Sequence, residues 1–186
     1  MPSSRDSARL TFGIYPGSAA GSDTGEVVAG PPDDPARIVG ALDELQGRDR
    51  HPLVVRAYRV FADADDRHRR SPAENPLDPV RYTGPGRSLD LVVQYQPRRG
   101  DTAGYCSFLR SVVAEHGPVI STLQVGEEPN VTGNPTLDGY YPAAMEAVIA
   151  GVSAAKDEAR RLGHRHLQVG FNTTLLFGRR RRSSSA

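Results

Sequence analysis

The chain has 186 residues, with 23 Lys and Arg against 22 Asp and Glu and a net charge of +1. That length is enough for one domain with a core of its own. The charge balance excludes a dedicated nucleic-acid surface, and no run of about 18 apolar residues is present to cross a membrane.

Cys106 is the only cysteine, which excludes an internal disulfide and a cysteine-based zinc site. Beside Tyr105, Phe108 and Leu109 it reads as a small buried packing residue. Lys156 is the only lysine, so nearly all cations are arginine, a composition bias. Residues 1–9 are polar and lack a signal-peptide core, so they read as a disordered tail and the expected location is cytoplasmic.

Leu10 to Tyr15 is the first strand candidate, followed by a Gly- and Ser-rich loop to about Gly30. That loop matches neither phosphate-binding glycine pattern and reads as a flexible connection. Asp34-Pro35 opens a helix, with an acidic cap and proline at the first helical position. Ile38, Ala41, Leu42 and Leu45 follow at helical spacing, and Gly47 stops it. Pro52 to Phe61 is the second strand, with Arg56 and Tyr58 on one face and Val55, Ala57 and Arg59 on the other.

Residues 62–88 are irregular: a charge run from Asp63 to Arg70 and four prolines predict a surface loop with at most a short helix. Leu89 to Gln96 is the third strand, ended by Pro97. A helix starts at Asp101, with Tyr105, Phe108, Leu109, Val112 and Val113 as its buried face. Val119 to Asn130 is the fourth strand and its exit, running from β-branched residues into Glu127, Glu128 and Pro129. A long helix spans about Tyr141 to Leu162, with Met145, Val148, Ile149, Val152, Ala159 and Leu162 as its stripe. His166 to Asn172 is the fifth strand. No Asn-Gly type hairpin signal is present. Residues 175–186, with four arginines and three serines, read as a disordered tail.

Strands alternating with helices predict an α/β domain over residues 10–174 with a mainly parallel sheet and right-handed crossovers. A doubly wound sheet usually has a phosphate-binding turn after its first strand, and none is present. A full (β/α)8 barrel needs roughly 250 residues, so five strands and three to four helices fit a partial barrel lacking its C-terminal half. The open edges of such a sheet predict a marginal fold prone to self-association.

Strand two as Val-Val-Arg56-Ala-Tyr, strand four ending Gly126-Glu127-Glu128-Pro129-Asn130, and strand five as Val-Gly-Phe-Asn172 resemble the retaining glycoside hydrolases of the large (β/α)8 clan, which include cellulase, mannanase and xylosidase-like families. The resemblance implies that Glu128 is the general acid/base and Arg56 supports the nucleophile. Glu127 stands where the family has an asparagine that donates to a sugar hydroxyl, which an ionised glutamate cannot do. Tyr95 and Gln96 stand where many members have a histidine. Arg56, Tyr58, Gln96, Glu127, Asn130 and Asn172 are the implied substrate-binding residues, and a carbohydrate is the implied partner.

Retaining hydrolysis needs two carboxyl groups about 5 Å apart, one protonating the leaving oxygen and one attacking the sugar. In the family the attacking glutamate comes from strand seven. The expectation is therefore a glycoside hydrolase-like fragment, inactive or impaired as this chain, arising as a truncated product or completed by a partner copy.

Two other functions compete. One is a non-catalytic carbohydrate-binding or interaction module stacking sugars on Tyr58, Tyr95, Tyr140 and Tyr141. The other is a small α/β nucleotide-binding protein. No cofactor or metal is expected: His51, His68, His116, His164 and His166 lie mostly at segment ends, without carboxylates placed to complete a ligand set.

Overall fold

A computed structural model describes residues 11–17, 19–21, 27–29, 34–64 and 73–175. The polar N-terminal segment, most of the charge run with His68, and the arginine-serine segment after Leu175 lie outside the described residues. The elements in chain order are β1 (Phe12–Ile14), β2 (Ala19–Gly21), β3 (Val27–Ala29), α1 (Pro35–Gln46), β4 (Leu53–Ala62), β5 (Glu74–Asn75), β6 (Arg87–Gln96), α2 (Thr102–His116), β7 (Ile120–Val125), α3 (Ala144–Leu162) and β8 (Gln168–Gly170). Two short 3₁₀ turns, Pro79–Tyr82 and Asp138–Tyr140, sit in the connections before β6 and before α3.

The chain is α/β with a mostly parallel sheet. β1, β4, β6, β7 and β8 lie side by side in chain order and are all parallel, while β5 pairs antiparallel with the far end of β4. Chain order leaves no point where the strand order reverses, and such a reversal is where doubly wound proteins bind nucleotides. The outer edges of β1 and β8 have no partner strand among the described residues. β2 and β3 form a separate antiparallel pair inside the stretch expected to be a plain flexible loop. The hairpin escapes a turn-motif reading because five residues, rather than an Asn-Gly pair, join its strands.

Alternation along the strands sorts the two faces. Leu53, Val55, Ala57, Leu89, Leu91, Val93, Leu123 and Val125 are buried on one face. All three helices cover that face: α1 through Leu42 with Leu53, Val55 and Tyr82, and α2 and α3 through the larger cluster around Leu91, Leu109 and Leu123. Each fully buried Leu or Val contributes about 1.5–3 kcal/mol relative to exposure. Parallel register partners share a face, so Arg56, Asp90 and Thr122 form a polar row on the opposite one.

The helix caps follow the sequence. Asp34 accepts from the backbone of Ala36 and Arg37 ahead of Pro35, and Asp101 accepts from the Gly104 N–H. Cys106 is half-buried on α2 rather than fully buried. Its neighbours Tyr105 and Leu109 take the core-facing positions.

α3 keeps part of its expected stripe, with Val148 and Ala159 buried and Val152 and Leu162 packed against the core, and departs from it at two positions. Met145 and Ile149 are exposed, and the buried face is Ala144, Ala147, Val148, Gly151, Ala154, Ala155 and Ala159. Small residues allow the close approach: a Cβ on Gly151 would lie 2.6 Å from Leu109 Cδ1. Large apolar residues mark a helix's buried face only where neighbours leave room for them.

Candidate functional site

The polar row starts within β4 and β6 and leads to the C-terminal ends of β7 and β8. Arg56 on β4 is its centre. Its guanidinium donates to Asp90 Oδ2 on β6 at 2.8 Å, to Gln124 Oε1 on β7 at 3.0 Å, and through Nε to the Tyr58 hydroxyl at 3.0 Å. Arg56 Nη2 also lies 3.7 Å from Glu127 Oε2. Burial opposes its positive charge, but Tyr58, Asp90 and Glu127 outweigh that and raise its pKa.

Glu127 reaches this network through a backbone device. Simple alternation would put Gln124 and Glu127 on opposite faces. Gly126 sits at φ 82 and turns the chain, so that Gln124 Nε2 donates both to Gly126 O at 3.0 Å and to Glu127 Oε2 at 2.7 Å. Any side chain at 126 is strained by the positive φ and crowded: a Cβ there would lie 2.6 Å from Val148 Cγ2. Asn172, just past β8, donates from Nδ2 to Glu127 Oε1 at 3.2 Å. Asn172 Oδ1 accepts the Glu128 N–H at 2.9 Å.

The amide orientations follow from these partners. Arginine and a backbone N–H can only donate, so Gln124 Oε1 and Asn172 Oδ1 must face them, and both amide nitrogens must face Glu127. Glu127 is thus held by donors on both oxygens. Burial raises its pKa; Arg56, Asn172 and Gln124 pull it down, and the neighbouring Glu128 charge pushes it up.

Glu128 has a different environment. Its backbone is left-handed at φ 48, and its carboxyl accepts no hydrogen bond among the described residues. It is half-buried, with both oxygens uncommitted.

The other expected site residues divide. Tyr58 lines the site, its hydroxyl on Arg56 and its ring edge-on to Tyr15 at 5.2 Å. Gln96 is 1% exposed and its amide nitrogen donates to Thr136 O, so it lies inside the fold and is not presented to a ligand, while its Oε1 has no hydrogen-bond partner among the described residues. Asn130 bonds Thr174 through both ends of its amide and ties down the segment after β8.

The proposed aromatic platform does not assemble. Tyr95 is fully buried on the helix side, where its ring packs edge-on to Tyr105, while Tyr58 lies on the opposite face. Tyr141 donates to Pro135 O, and only Tyr140 of the four is exposed.

Sequence reasoning missed Asp90, Gln124 and Asp138. The first two are polar residues inside apolar strands, a signal of a lined face that alternation could have raised. Among the described residues no group of three His, Cys, Asp or Glu is placed to hold a metal ion. A separate cleft, lined in part by Thr83, Arg87, Ser88, Ser121 and His166, opens at the opposite, N-terminal ends of the strands and shares no residue with this network.

Comparisons with protein-family models, with curated proteins and with solved structures return no match to this chain. The chemistry of the site therefore rests on its own geometry. That geometry offers an acceptor-rich surface beside the ends of β7 and β8, with one carboxyl group fixed by donors and one without a protein donor among the described residues.

Proposed function

We propose that this chain carries the acid/base half of a retaining glycoside hydrolase-type site on a sheet of the (β/α)8 kind. The observation that carries the reading is the Glu127–Asn172 pair just past the C-terminal ends of β7 and β8, joined through Gln124 to Arg56 within β4. In (β/α)8 enzymes catalytic groups occupy that end. The chain-order sheet with its helices on one face supports the barrel-like part of the reading.

In this reading Glu128 is the proton donor to the leaving oxygen, since its carboxyl is the one not engaged by protein donors. Glu127, fixed in place by Gln124 and Asn172, accepts a hydrogen bond from a sugar hydroxyl. Arg56 fixes Glu127 through Gln124, and Tyr58 offers a ring edge beside it. Among the described residues no second carboxylate is free to attack the sugar: Asp90 is bound to Arg56. Sugar binding is thus the activity expected of these residues, with hydrolysis absent or impaired.

Chemical-shift mapping with cello-, manno- and xylo-oligosaccharides tests it. The expected result is perturbation of the Glu127, Glu128 and Asn172 amides, with slow turnover of aryl glycosides, where detectable, abolished in E128Q. No perturbation at millimolar sugar would overturn the binding role. Equal turnover in wild type and E128Q would remove Glu128 from the chemistry.

A further inference from the structure

The connection between β7 and α3 carries a carboxyl group that composition and motif leave unexplained. Asp138 is 0% exposed. Its Oδ2 accepts the Glu127 N–H at 2.8 Å, and its own N–H donates to Glu127 O at 3.0 Å. Two residues eleven apart are therefore clamped by reciprocal bonds. The clamp leaves no slack: a Cβ on Gly126 would lie 3.1 Å from Asp138 Oδ2, and a Cβ on Gly139 would lie 2.6 Å from Val131 O.

The rest of the turn is braced from the same side. Gly126 N–H and the Tyr105 hydroxyl both donate to Val93 O, at 2.9 and 2.6 Å. Tyr141 N–H donates to Asp138 O at 2.9 Å, so α3's entry is tied to the same residue. Asp138 Oδ1 has no hydrogen-bond partner by distance and angle, although the Tyr95 amide is close enough to act on the carboxyl. Burying a carboxyl so incompletely bonded costs stability, which apolar packing at that position would not. Burial raises its pKa well above the usual carboxylate range; the Glu127 and Tyr95 amides pull the other way, and the Glu127 charge adds to the rise.

We propose that Asp138 is a positioning residue that sets the Gly126–Glu127–Glu128 turn and so aims Glu127 at Gln124 and Asn172. The inference rests on the reading above only in taking Glu127 and Glu128 as the site's carboxylates. Asp138 touches neither Gln124 nor Asn172; it acts on them through the Glu127 backbone. A hydrogen bond from the Glu127 N–H fixes where that side chain starts, and the Gly126 turn fixes its face.

The test needs no sugar and no turnover, so it stands or falls apart from the glycosidase reading. Amide exchange and carboxyl titration of Glu127 are followed by NMR in wild type, D138N and D138S, with E127Q assigning the carboxyl signal. Asparagine keeps an acceptor at the same reach, and serine does not reach. D138N is expected to retain the Glu127 amide protection. D138S is expected to lose at least about tenfold of it, corresponding to roughly 1.4 kcal/mol of local opening, while the Leu91 and Leu123 amides stay as in wild type. The Glu127 carboxyl in D138S should then titrate nearer to a solvated glutamate.

In wild type alone, the Glu127 amide proton should shift as the Asp138 carboxyl ionises. A Glu127 amide and carboxyl in D138S that match wild type would overturn the proposal. Protection lost evenly through the sheet, or a D138S chain that does not fold, would assign Asp138 to the core and overturn it as well. A Glu127 amide indifferent to Asp138 ionisation in wild type would do the same without any variant.

Discussion

Arg56 and Glu127 face each other across two strands, 3.7 Å apart, and Gln124 joins them at 3.0 Å to the guanidinium and 2.7 Å to the carboxylate. On its other side the same guanidinium holds Asp90 at 2.8 Å. One cation therefore serves two half-buried carboxylates. Removing it leaves two like charges on one face with no counter-charge within reach.

R56M is thus expected to destabilise the fold by about 1–3 kcal/mol near neutral pH. The lower part of that range is the better guide, because the Arg56 side chain is 31% exposed and water screens part of the charge. The sign with pH follows from Glu127, whose folded pKa rises further once the Arg56 charge that lowers it is gone. A raised carboxyl pKa gives stability that is present at low pH and lost as pH rises through it. Urea unfolding should show the R56M deficit shrinking as pH falls from about 7 to about 4.

Gly126 is the second fixed point. Alanine there must take a positive φ, which costs about 1–2 kcal/mol, and its Cβ would lie 2.6 Å from Val148 Cγ2. Overpacking adds about 1–3 kcal/mol. G126A should lower stability by about 2–5 kcal/mol in sum and return the Glu127 carboxyl towards solvated titration, since the turn that brings it to Gln124 is lost. Urea unfolding with carboxyl NMR checks both.

Much of this fold is legible in the chain. The caps at Asp34 and Asp101, the stop at Gly47, and the apolar alternation of β4 and β6 all place their elements within a residue or two. The site is less so. Alternation assigns Gln124 and Glu127 to opposite faces because it assumes that the strand continues, and a positive φ at Gly126 breaks that assumption. Gln96 reads as substrate-binding by position and Tyr95 as a stacking surface, yet Gln96 is buried with its amide nitrogen on Thr136 and Tyr95 packs against Tyr105. Asp138 carries no periodic or motif signal at all. Its role depends on a connection folding back over the strand end, a contact between residues no local pattern relates.

Asn172 separates charge from hydrogen bonding at the site. N172A loses the acceptor for Glu128 N–H and the donor to Glu127 but adds no charge. N172D keeps the acceptor and turns a carboxylate oxygen onto Glu127 Oε1, where the amide nitrogen now lies at 3.2 Å. Two carboxylates that close cannot both ionise freely, so one pKa rises. Near neutral pH N172D should be less stable than N172A, by about 1 kcal/mol or more, and the order should reverse or close as pH falls below about 5. Thermal unfolding of the two variants across that range checks it, and a pH-independent gap would show that charge plays no part.

A second titrating contact lies away from the site, where His116 ends α2. Its Nε2 is 3.0 Å from Arg59 Nη1. A guanidinium only donates, so this nitrogen accepts and the ring is neutral with its proton on Nδ1. Burial lowers the His116 pKa; the Glu115, Glu74 and Asp78 charges raise it, and Arg59 lowers it. A folded pKa below the unfolded value of about 6.5 favours the neutral ring in the fold. That contribution is complete above about pH 6.5 and is lost as pH falls through the folded value. Between about pH 7.5 and pH 5 the wild type should therefore lose more stability than H116Q, whose amide oxygen can accept from Arg59 at either pH. Urea midpoints at the two pH values measure the difference. Equal losses in the two proteins would mean that His116 takes its proton without cost and that Arg59 is held by its carboxylates, Glu74 at 2.8 Å and Glu115 at 3.6 Å.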